Sequence, residues 1–243
     1  MTLNINEVFG PTIQGEGRFT GRRAFFVRTS RCPLACSFCD TPYTWAFTEN
    51  KAKKHREGIK YNQVLEEHQM SSEEVVEKLD SLGLRLGDLV VLTGGEPLLQ
   101  ASEIQGLVNL LLSKGCLVQF ETAGVLKPPH FNDDLRVFFS VSPKLENSGN
   151  PLRVRFRPEV LKELNSRSAD FKFVCASLED LDEVHEFCHT IGISPRSVWI
   201  MPEGVTHEAC QEHAKLVIDK ALELGYNFSM RVHVAIWGTE RGR

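Results

Sequence analysis

The sequence predicts an α/β fold in which mainly parallel strands alternate with helices. Short runs of β-branched and aromatic residues recur along the chain, and segments with helical periodicity separate most of them. Such alternation implies crossover connections between parallel strands. An open doubly wound sheet and a full or partial barrel both remain possible, and both place ligands at the carboxyl ends of the strands.

The predicted elements follow one another in chain order. Strands are predicted at residues 22–29, 88–92, 116–121, 137–141, 171–175, 197–200 and 227–232. Helices are predicted at residues 72–82, 101–114, 158–165, 178–190 and 207–224. Ser71 and Glu74 form a capping box, Ser177 and Thr206 cap later helices, and Gly225 follows the last one.

The length of 243 residues is compatible with one large domain over residues 1–243. A polar insertion around residues 46–70 interrupts the alternation. It contains the charged run KAKKHRE at residues 51–57, a composition that is more typical of a solvated segment than of a binding patch.

Composition narrows the classes of partner. Lys and Arg total 28 against 32 Asp and Glu, and no long basic stripe is present, so the charge pattern of a nucleic-acid binder is missing. We therefore expect a small-molecule partner. No apolar run approaches the roughly 18 residues of a membrane-spanning helix, and no secretion signal is recognisable at the N-terminus. The expected location is the cytoplasm, with no membrane partner.

Three of the seven cysteines, Cys32, Cys36 and Cys39, lie within eight residues. Clustered cysteines in a reducing compartment are more typical of metal ligands than of disulfides. A cubane iron–sulfur cluster usually takes four thiolates, so three would leave one iron open to chelate a substrate or cosubstrate. The alternative is a zinc site completed by His55 or His68.

A second motif is the apolar run at residues 90–97, VVLTGGEP. It leads a buried strand directly into a Gly-Gly turn, which would bring bare backbone close to a ligand at the carboxyl end of the strand. Taken alone, the motif favours an ordinary strand-to-loop turn in which Glu96 caps a neighbouring segment.

Together, the C-x3-C-x2-C spacing and the Gly-Gly-Glu-Pro run resemble the motifs of radical S-adenosylmethionine (SAM) enzymes. This resemblance implies a partial (β/α) TIM-like barrel of the radical SAM type with about six to seven mainly parallel strands. Residues 5–17 (INEVFGPTIQGEG), 39–41 (CDT), 121–124 (ETAG), 140–144 (SVSPK) and 231–233 (RVH) are similar to one family within it, the 7-carboxy-7-deazaguanine synthases.

The family resemblance implies a carbon–nitrogen lyase of queuosine and 7-deazapurine biosynthesis. Such enzymes contract the ring of 6-carboxy-5,6,7,8-tetrahydropterin to 7-carboxy-7-deazaguanine with loss of ammonia. The implied cofactors are a [4Fe–4S] cluster, SAM and Mg2+, and the implied partners are a reducing electron donor, such as flavodoxin, and a second copy of the chain. The alternatives are another small radical SAM enzyme, such as a glycyl-radical activating enzyme, or a non-enzymatic iron–sulfur or zinc protein.

The resemblance also assigns residues. It implies cluster ligation by Cys32, Cys36 and Cys39, and Mg2+ binding by Thr41, although Asp40 is the better Mg2+ ligand on chemistry alone. The implied substrate contacts are Ile13, Gln14, Gly15, Glu16, Arg28 and Thr93. The implied cosubstrate contacts are Phe38, Cys39, Asp40, Gly95, Ser142, Pro143, Lys144, Met201, Pro202, Glu203 and Gly204, of which the last four depart from the Gln-Pro-type family pattern.

Overall fold

A nine-stranded sheet organises residues 2–131 and 134–243, the part of the chain that the computed structural model describes. Its strands are β1 (Thr2–Ile13), β2 (Arg23–Thr29), β3 (His68–Ser71), β4 (Leu89–Gly94), β5 (Leu117–Thr122), β6 (Val137–Val141), β7 (Asp170–Cys175), β8 (Val198–Pro202) and β9 (Asn227–Phe228). The strand order is β3-β1-β2-β4-β5-β6-β7-β8-β9.

The helices lie mostly between the parallel strands. They are α1 (Glu49–Ala52), α2 (Gln63–Glu66), α3 (Ser72–Ser81), α4 (Ala101–Ser113), α5 (Leu152–Arg155), α6 (Pro158–Ser166), α7 (Leu178–Ile191), α8 (His207–Glu223) and α9 (Val232–Trp237). Short 3-10 turns occupy Gly17–Phe19, Pro42–Thr44, Pro97–Gln100, Glu146–Ser148 and Pro195–Ser197. None of the helices in the described ranges is both long and apolar enough to cross a membrane.

The prediction of a mainly parallel α/β fold is confirmed. Six neighbouring pairs, from β2/β4 to β8/β9, are parallel. The antiparallel pairs are β1/β2 and β1/β3. The predicted number of strands is too low because β1 and β3 were not predicted. β1 lies in the run that was interpreted as a ligand motif, and β3 has only four residues.

Each parallel strand sends alternate side chains to two different environments, as the two-residue period of a strand requires. One set packs against the helices in a continuous core, as Phe25, Val90 and Phe120 do at 0% exposure. The other set faces the interior, where Phe9 and Phe26 stack with ring centroids 5.0 Å apart. The helices therefore cover one face of the sheet, and the other face curves around a site.

The loop after β1 shows how far the sheet curves. Gln14 donates to the Gln119 side chain of β5 at 2.7 Å, and Arg18 pairs with Asp170 of β7 at 2.7 Å. Val232, which follows β9, donates its backbone N–H to Gly15 at 3.0 Å. Residues 14–18 thus cross the interior from the β2 side to the β7–β9 side, while β3 and β9 remain the edges of the described sheet. The architecture is a partial barrel.

Predicted and observed boundaries agree closely for the helix-linked strands. Ser71 and Ser177 form capping boxes, and Thr206 accepts the Ala209 N–H. The prediction of a strand over residues 227–232 is wrong in length, because β9 ends at Phe228 and α9 begins at Val232. Val232 to Trp237 is apolar, and an apolar run this short does not by itself separate strand from helix.

Residues 46–70 fold against the loop that carries the clustered cysteines. Lys53 and Lys54 are exposed, but His55 is buried at 5% exposure. The Arg56 N–H donates to the Ser37 carbonyl at 2.9 Å. Glu67 accepts two hydrogen bonds from Arg31, at 2.8 and 2.7 Å, immediately before the first clustered cysteine. This segment therefore supports the cysteine loop, a role that its charged composition did not indicate.

Candidate active site

A cavity of about 230 Å³ lies at the carboxyl ends of the parallel strands and extends into the barrel interior. Nearly all of the candidate residues line it: Ile13, Gln14, Gly15, Glu16, Arg28, Cys32, Cys36, Phe38, Cys39, Asp40, Thr41, Thr93, Gly95, Ser142, Lys144, Met201, Glu203 and Gly204. Pro143 and Pro202 are adjacent in sequence to lining residues but are not part of the lining in the described structure.

The three clustered cysteines follow β2 and lie in a largely apolar surrounding. Cys36 is 7% exposed and packs with Leu34 and Ala123. Burial raises the pKa of the Cys32 thiol well above its usual range, raises that of Cys36 to about 11, and raises that of Cys39. Burial thus disfavours the thiolate forms, and a bound metal centre would supply the positive charge that stabilises them.

Two side-chain N–H groups point at cysteine sulfurs. The indole Nε1 of Trp45 lies 3.3 Å from Cys39 Sγ, and the amide Nδ2 of Asn150 lies 3.2 Å from Cys36 Sγ. Hydrogen bonds of this kind stabilise thiolate charge and are found around iron–sulfur clusters. Buried sulfurs with N–H donors therefore fit a [4Fe–4S] cluster.

The zinc alternative is not supported. His55 Nε2 lies 2.8 Å from the Cys39 carbonyl oxygen, and its Nδ1 lies 3.3 Å from the Glu57 backbone nitrogen, so both ring nitrogens have backbone partners. His68 is exposed on β3 and is not among the residues that line the cavity in the described structure. Across residues 2–131 and 134–243, no group of three or more His, Cys, Asp or Glu side chains is placed to hold a single metal ion.

The Gly-Gly turn packs directly against the residues that precede Cys32. Gly94 has φ +119°, and a Cβ there would lie 2.2 Å from the Thr29 carbonyl oxygen. A Cβ at Gly95 would lie 2.1 Å from the Arg31 carbonyl oxygen. Both glycines are therefore required by backbone packing, in addition to lining the cavity. The turn and the cysteine loop form one unit.

Glu96 joins this unit to β5. Its fully buried carboxylate accepts hydrogen bonds from the Thr122 hydroxyl at 2.7 Å, the Ala123 N–H at 2.8 Å and the Leu98 N–H at 3.1 Å. Burial raises the pKa of Glu96 despite these donors. Glu96 therefore caps neighbouring segments, as the alternative interpretation of this motif expects. It does not line the cavity in the described structure.

On the opposite side, Glu16 forms the centre of a buried ion-pair network. Its carboxylate pairs with Lys172 of β7 and accepts from Arg231 Nε at 2.9 Å. Burial opposes ionisation, but the charges of Lys172 and Arg231 outweigh it and hold the pKa of Glu16 well below its usual range. His233 lies 3.8 Å from the same carboxylate and occupies the space where Gly15 would carry a Cβ.

Arg231 connects three loops around the cavity. Besides Glu16, it pairs with Asp40 and donates to the Gly204 carbonyl at 2.6 Å. Burial would lower its pKa, but the Asp40 and Glu16 carboxylates outweigh that effect and raise it. The charge of Arg231 in turn lowers the pKa of Asp40 against the effect of burial. Asp40 is therefore an ion-pair partner in this structure.

The remaining polar candidates are also hydrogen bonded. Thr93 donates to Glu121 at 2.7 Å, and Gln14 donates to the same carboxylate at 3.1 Å. Arg28 Nε donates to Glu7 at 2.6 Å. Lys144 donates to the Ser142 hydroxyl at 2.8 Å. These bonds fix the directions in which the side chains reach the cavity.

Several lining or supporting residues were given no role from the sequence: Glu121, Lys172, Arg231, His233, Trp45 and Asn150. Among these, Glu121 and Arg231 lie in segments that resemble the family, and His233 resembles a family residue at the mouth of the site. A signal existed for Lys172, which lies between Phe171 and Phe173 in a buried strand and must therefore face away from the helices. Trp45 and Asn150 had no comparable signal, because their contacts with Cys39 and Cys36 depend on loop conformation.

Comparison with known proteins agrees with this geometry. The model of the Radical SAM superfamily matches residues 26–217. A 7-carboxy-7-deazaguanine synthase from Pyrobaculum aerophilum is 34% identical, covering 99% of this chain and 97% of that protein. One from Hyperthermus butylicus is 35% identical, covering 96% and 92%. The crystal structure of QueE from Escherichia coli superposes with a TM-score of 0.72 at 28% identity, covering 96% and 95%.

Radical SAM enzymes use a [4Fe–4S] cluster and SAM, and the buried cysteine loop described above fits that requirement. The match extends over nearly the whole chain, including the loop at residues 14–17, which lies outside the general superfamily model. The chain therefore belongs to the radical SAM superfamily and, within it, to the 7-carboxy-7-deazaguanine synthase family.

Proposed function

We propose that this enzyme converts 6-carboxy-5,6,7,8-tetrahydropterin to 7-carboxy-7-deazaguanine with loss of ammonia, as a step of queuosine or 7-deazapurine biosynthesis. One observation supports this most directly. A single cavity brings the loop at residues 14–16 together with Cys32, Cys36 and Cys39. A glycyl-radical activating enzyme acts on a protein and has no use for that loop.

When bound, the cluster and SAM supply the radical that abstracts hydrogen from the pterin. The chain's own task is to orient both ligands and to exclude water from them. We assign cluster ligation to Cys32, Cys36 and Cys39. Cosubstrate contact is assigned to the loops after β2, β4, β6 and β8, through Phe38, Asp40, Gly95, Ser142, Lys144, Met201, Glu203 and Gly204, with Pro143 and Pro202 holding the backbone beside them.

The pterin is assigned to the polar side of the cavity. Its ring nitrogens and amino group require both donors and acceptors, which Gln14, Glu16 and Thr93 provide together with the backbone of Ile13 and Gly15. Arg28 is assigned to the substrate carboxylate, because a planar guanidinium suits bidentate pairing. Because the Arg28 Nε donates to Glu7, we assign the two Nη groups of the guanidinium to the substrate carboxylate.

A Mg2+ ion bound by Thr41 and the substrate carboxylate completes the proposal. Thr41 lines the cavity at 9% exposure, two residues after Cys39. The pairing of Asp40 with Arg231 favours the threonine over the aspartate as ligand. Mg2+ commonly binds few protein oxygens and completes its shell with substrate and water oxygens.

We further propose that residues 1–243 act as one domain, that the enzyme is a homodimer, and that a reducing protein such as flavodoxin supplies the electron. We also propose a cytoplasmic location, supported by seven cysteines without a disulfide, since clustered reduced thiols suit a reducing compartment. Light scattering after size-exclusion chromatography tests the dimer.

The deciding experiment is anaerobic turnover. The protein is reconstituted with iron and sulfide, reduced, and given SAM, Mg2+ and the carboxypterin, and the product is identified by mass. We expect 7-carboxy-7-deazaguanine and ammonia. Cluster binding and SAM cleavage without this product would contradict the substrate assignment, whereas a protein that binds no iron would contradict the cluster assignment.

The Mg2+ assignment has its own test. Thr41→Ala should weaken the Mg2+ dependence, so that activity requires a higher Mg2+ concentration, while the matched exposed variant Thr190→Ala should behave as the unmodified enzyme. The measurement is a Mg2+ titration of initial rate. An unchanged titration in Thr41→Ala contradicts the assignment.

A further inference from the structure

Trp45 and Asn150 were assigned no role in binding the substrate or SAM, yet both contact the cysteines directly. Trp45 is 2% exposed, and its Nε1 lies 3.3 Å from Cys39 Sγ. Asn150 is 9% exposed, and its Nδ2 lies 3.2 Å from Cys36 Sγ. The two donors belong to different segments of the chain, since Trp45 follows the cysteine loop directly and Asn150 follows the 3-10 turn Glu146–Ser148, which makes them independent observations.

Their surroundings hold these donors in place. His55, which packs edge-on to the Trp45 ring at 6.3 Å, binds the Cys39 carbonyl at 2.8 Å. Asn150 accepts the Ala35 N–H at 3.0 Å through Oδ1, which directs its amide nitrogen towards Cys36. A buried N–H without an acceptor costs about 1–3 kcal/mol. Trp45 Nε1 has Cys39 Sγ as its acceptor. The Asn150 amide has two N–H groups, and its Nδ2 lies 3.2 Å from both Cys36 Sγ and Ser148 Oγ, so one N–H can serve each acceptor.

We propose that Trp45 and Asn150 are positioning residues that raise the reduction potential of the cluster by donating N–H···S hydrogen bonds to Cys39 and Cys36. Reduction adds one electron from an external reductant and increases the negative charge on the cysteine sulfurs. A donor at the sulfur stabilises that reduced state more than the oxidised one, so the potential rises.

The inference rests on the proposed ligation of the cluster by these cysteines but not on the pterin reaction. It can therefore be tested without substrate. Trp45→Phe removes the N–H and keeps a large ring, and Asn150→Leu removes the amide at similar size. Trp199→Phe is the matched control, because it also removes an indole N–H, and Trp199 belongs to β8 and is not among the residues that line the cavity in the described structure.

The experiment is an anaerobic redox titration of the reconstituted proteins, followed by the electron paramagnetic resonance signal of the reduced cluster. At a solution potential equal to the midpoint of the unmodified protein, each single variant should raise the oxidised-to-reduced ratio about tenfold. This corresponds to a midpoint about 59 mV more negative for one electron. The double variant should shift further, and Trp199→Phe should match the unmodified protein.

Unchanged midpoints in both variants would overturn the inference, and an unchanged midpoint in one would overturn it for that residue. Lower iron content with an unchanged midpoint would indicate a purely structural role. If a variant does not fold, the test uses the unmodified protein after exchange into deuterium oxide. Electron–nuclear double resonance should detect exchangeable deuterons coupled to the reduced cluster, and their absence would overturn the inference. If the unmodified protein binds no iron, the cluster assignment itself fails.

Discussion

The cavity has two walls that are stabilised in different ways. The cysteine wall consists of Cys32, Cys36 and Cys39 with their donors Trp45 and Asn150. Its sulfurs contact neutral hydrogen-bond donors and apolar side chains, and Lys51 Nζ lies 3.4 Å from the Cys32 carbonyl oxygen. The charged wall consists of Glu16, Lys172 and Arg231, held together by buried ion pairs, with Asp40 half-exposed at its rim.

The difference follows from what each wall has to hold. Iron ions would carry most of the charge that balances thiolates, so neutral donors are sufficient at the sulfurs. A polar substrate with a carboxylate requires fixed charges, and buried charges persist only when each has a partner. The network around Glu16 supplies these partners before any ligand arrives.

The largest effect should come from removing one ligand of the cysteine wall. Cys36→Ala should lower turnover by about a thousandfold or more, because the chemistry depends on the cofactor. Cys116→Ala is the matched control, since Cys116 is fully buried in the core on the helix side of the sheet. Iron content and turnover are the measurements. Normal iron content and turnover in Cys36→Ala would contradict the assigned ligation.

Arg231→Met should disrupt the charged wall. It leaves the Glu16 and Asp40 carboxylates with fewer partners, and breaking a buried pair costs about 3–5 kcal/mol. We expect a lower unfolding free energy and a higher KM for the pterin. Adding Glu16→Gln should recover part of the lost stability, because one unpaired charge is removed. Arg153→Met, at an exposed position, is the control. Equal stability of Arg231→Met and Arg153→Met would contradict the network.

Gly95→Ala should loosen the cysteine wall without replacing any of the three cysteines. Its Cβ would lie 2.1 Å from the Arg31 carbonyl oxygen, so the residues before Cys32 must move. Overpacking of this kind costs about 1–3 kcal/mol. Gly106→Ala, inside α4 with its nearest neighbour at 3.4 Å, should be neutral or stabilising. Thermal unfolding and iron content distinguish the two variants, and similar behaviour would contradict the packing argument.

The smallest effect concerns pH and the charged wall. The pKa of Glu16 is lower in the folded protein than its usual value of 4.5. Its ionisation therefore stabilises the fold fully above about pH 4.5, and this contribution is lost as the pH falls through the folded pKa. The stability advantage over Glu16→Gln should shrink over the same range. Denaturant unfolding of both proteins at several pH values measures this difference, and a constant difference would contradict the shift.

A strand could be predicted where its apolar residues recur in a strand-like pattern and a helix follows it. β4 to β8 met that condition, and their boundaries were predicted within two residues. β1 did not, because its residues were interpreted as a ligand motif. The short β3 pairs with β1 at the sheet edge and carries little apolar sequence of its own. Its formation depends on a partner that is distant in the chain.

The site could be predicted where one short motif contains the chemistry, as for the three cysteines. Arg231 is different, because its importance arises from meeting Glu16, Asp40 and Gly204 in space, and no local pattern records that meeting. The ion pairs of Glu16 could not be predicted either, because Lys172 lies 156 positions away in the sequence. Sequence motifs indicated most of the residues that line the cavity, but not the ion pairs and hydrogen bonds that support them.

The sequence positions of the residues that form the two walls also mean that the walls are synthesised at different times. Cys32, Cys36, Cys39 and Trp45 leave the ribosome together, within 14 residues. Glu16 leaves earlier than all of them but receives Arg231 only 215 residues later. Until then its loop lacks one of the two cations that allow a carboxylate to be buried. The three cysteines and Trp45 are thus synthesised long before the charged wall is complete, and Asn150, the other donor of the cysteine wall, is synthesised between them and Arg231.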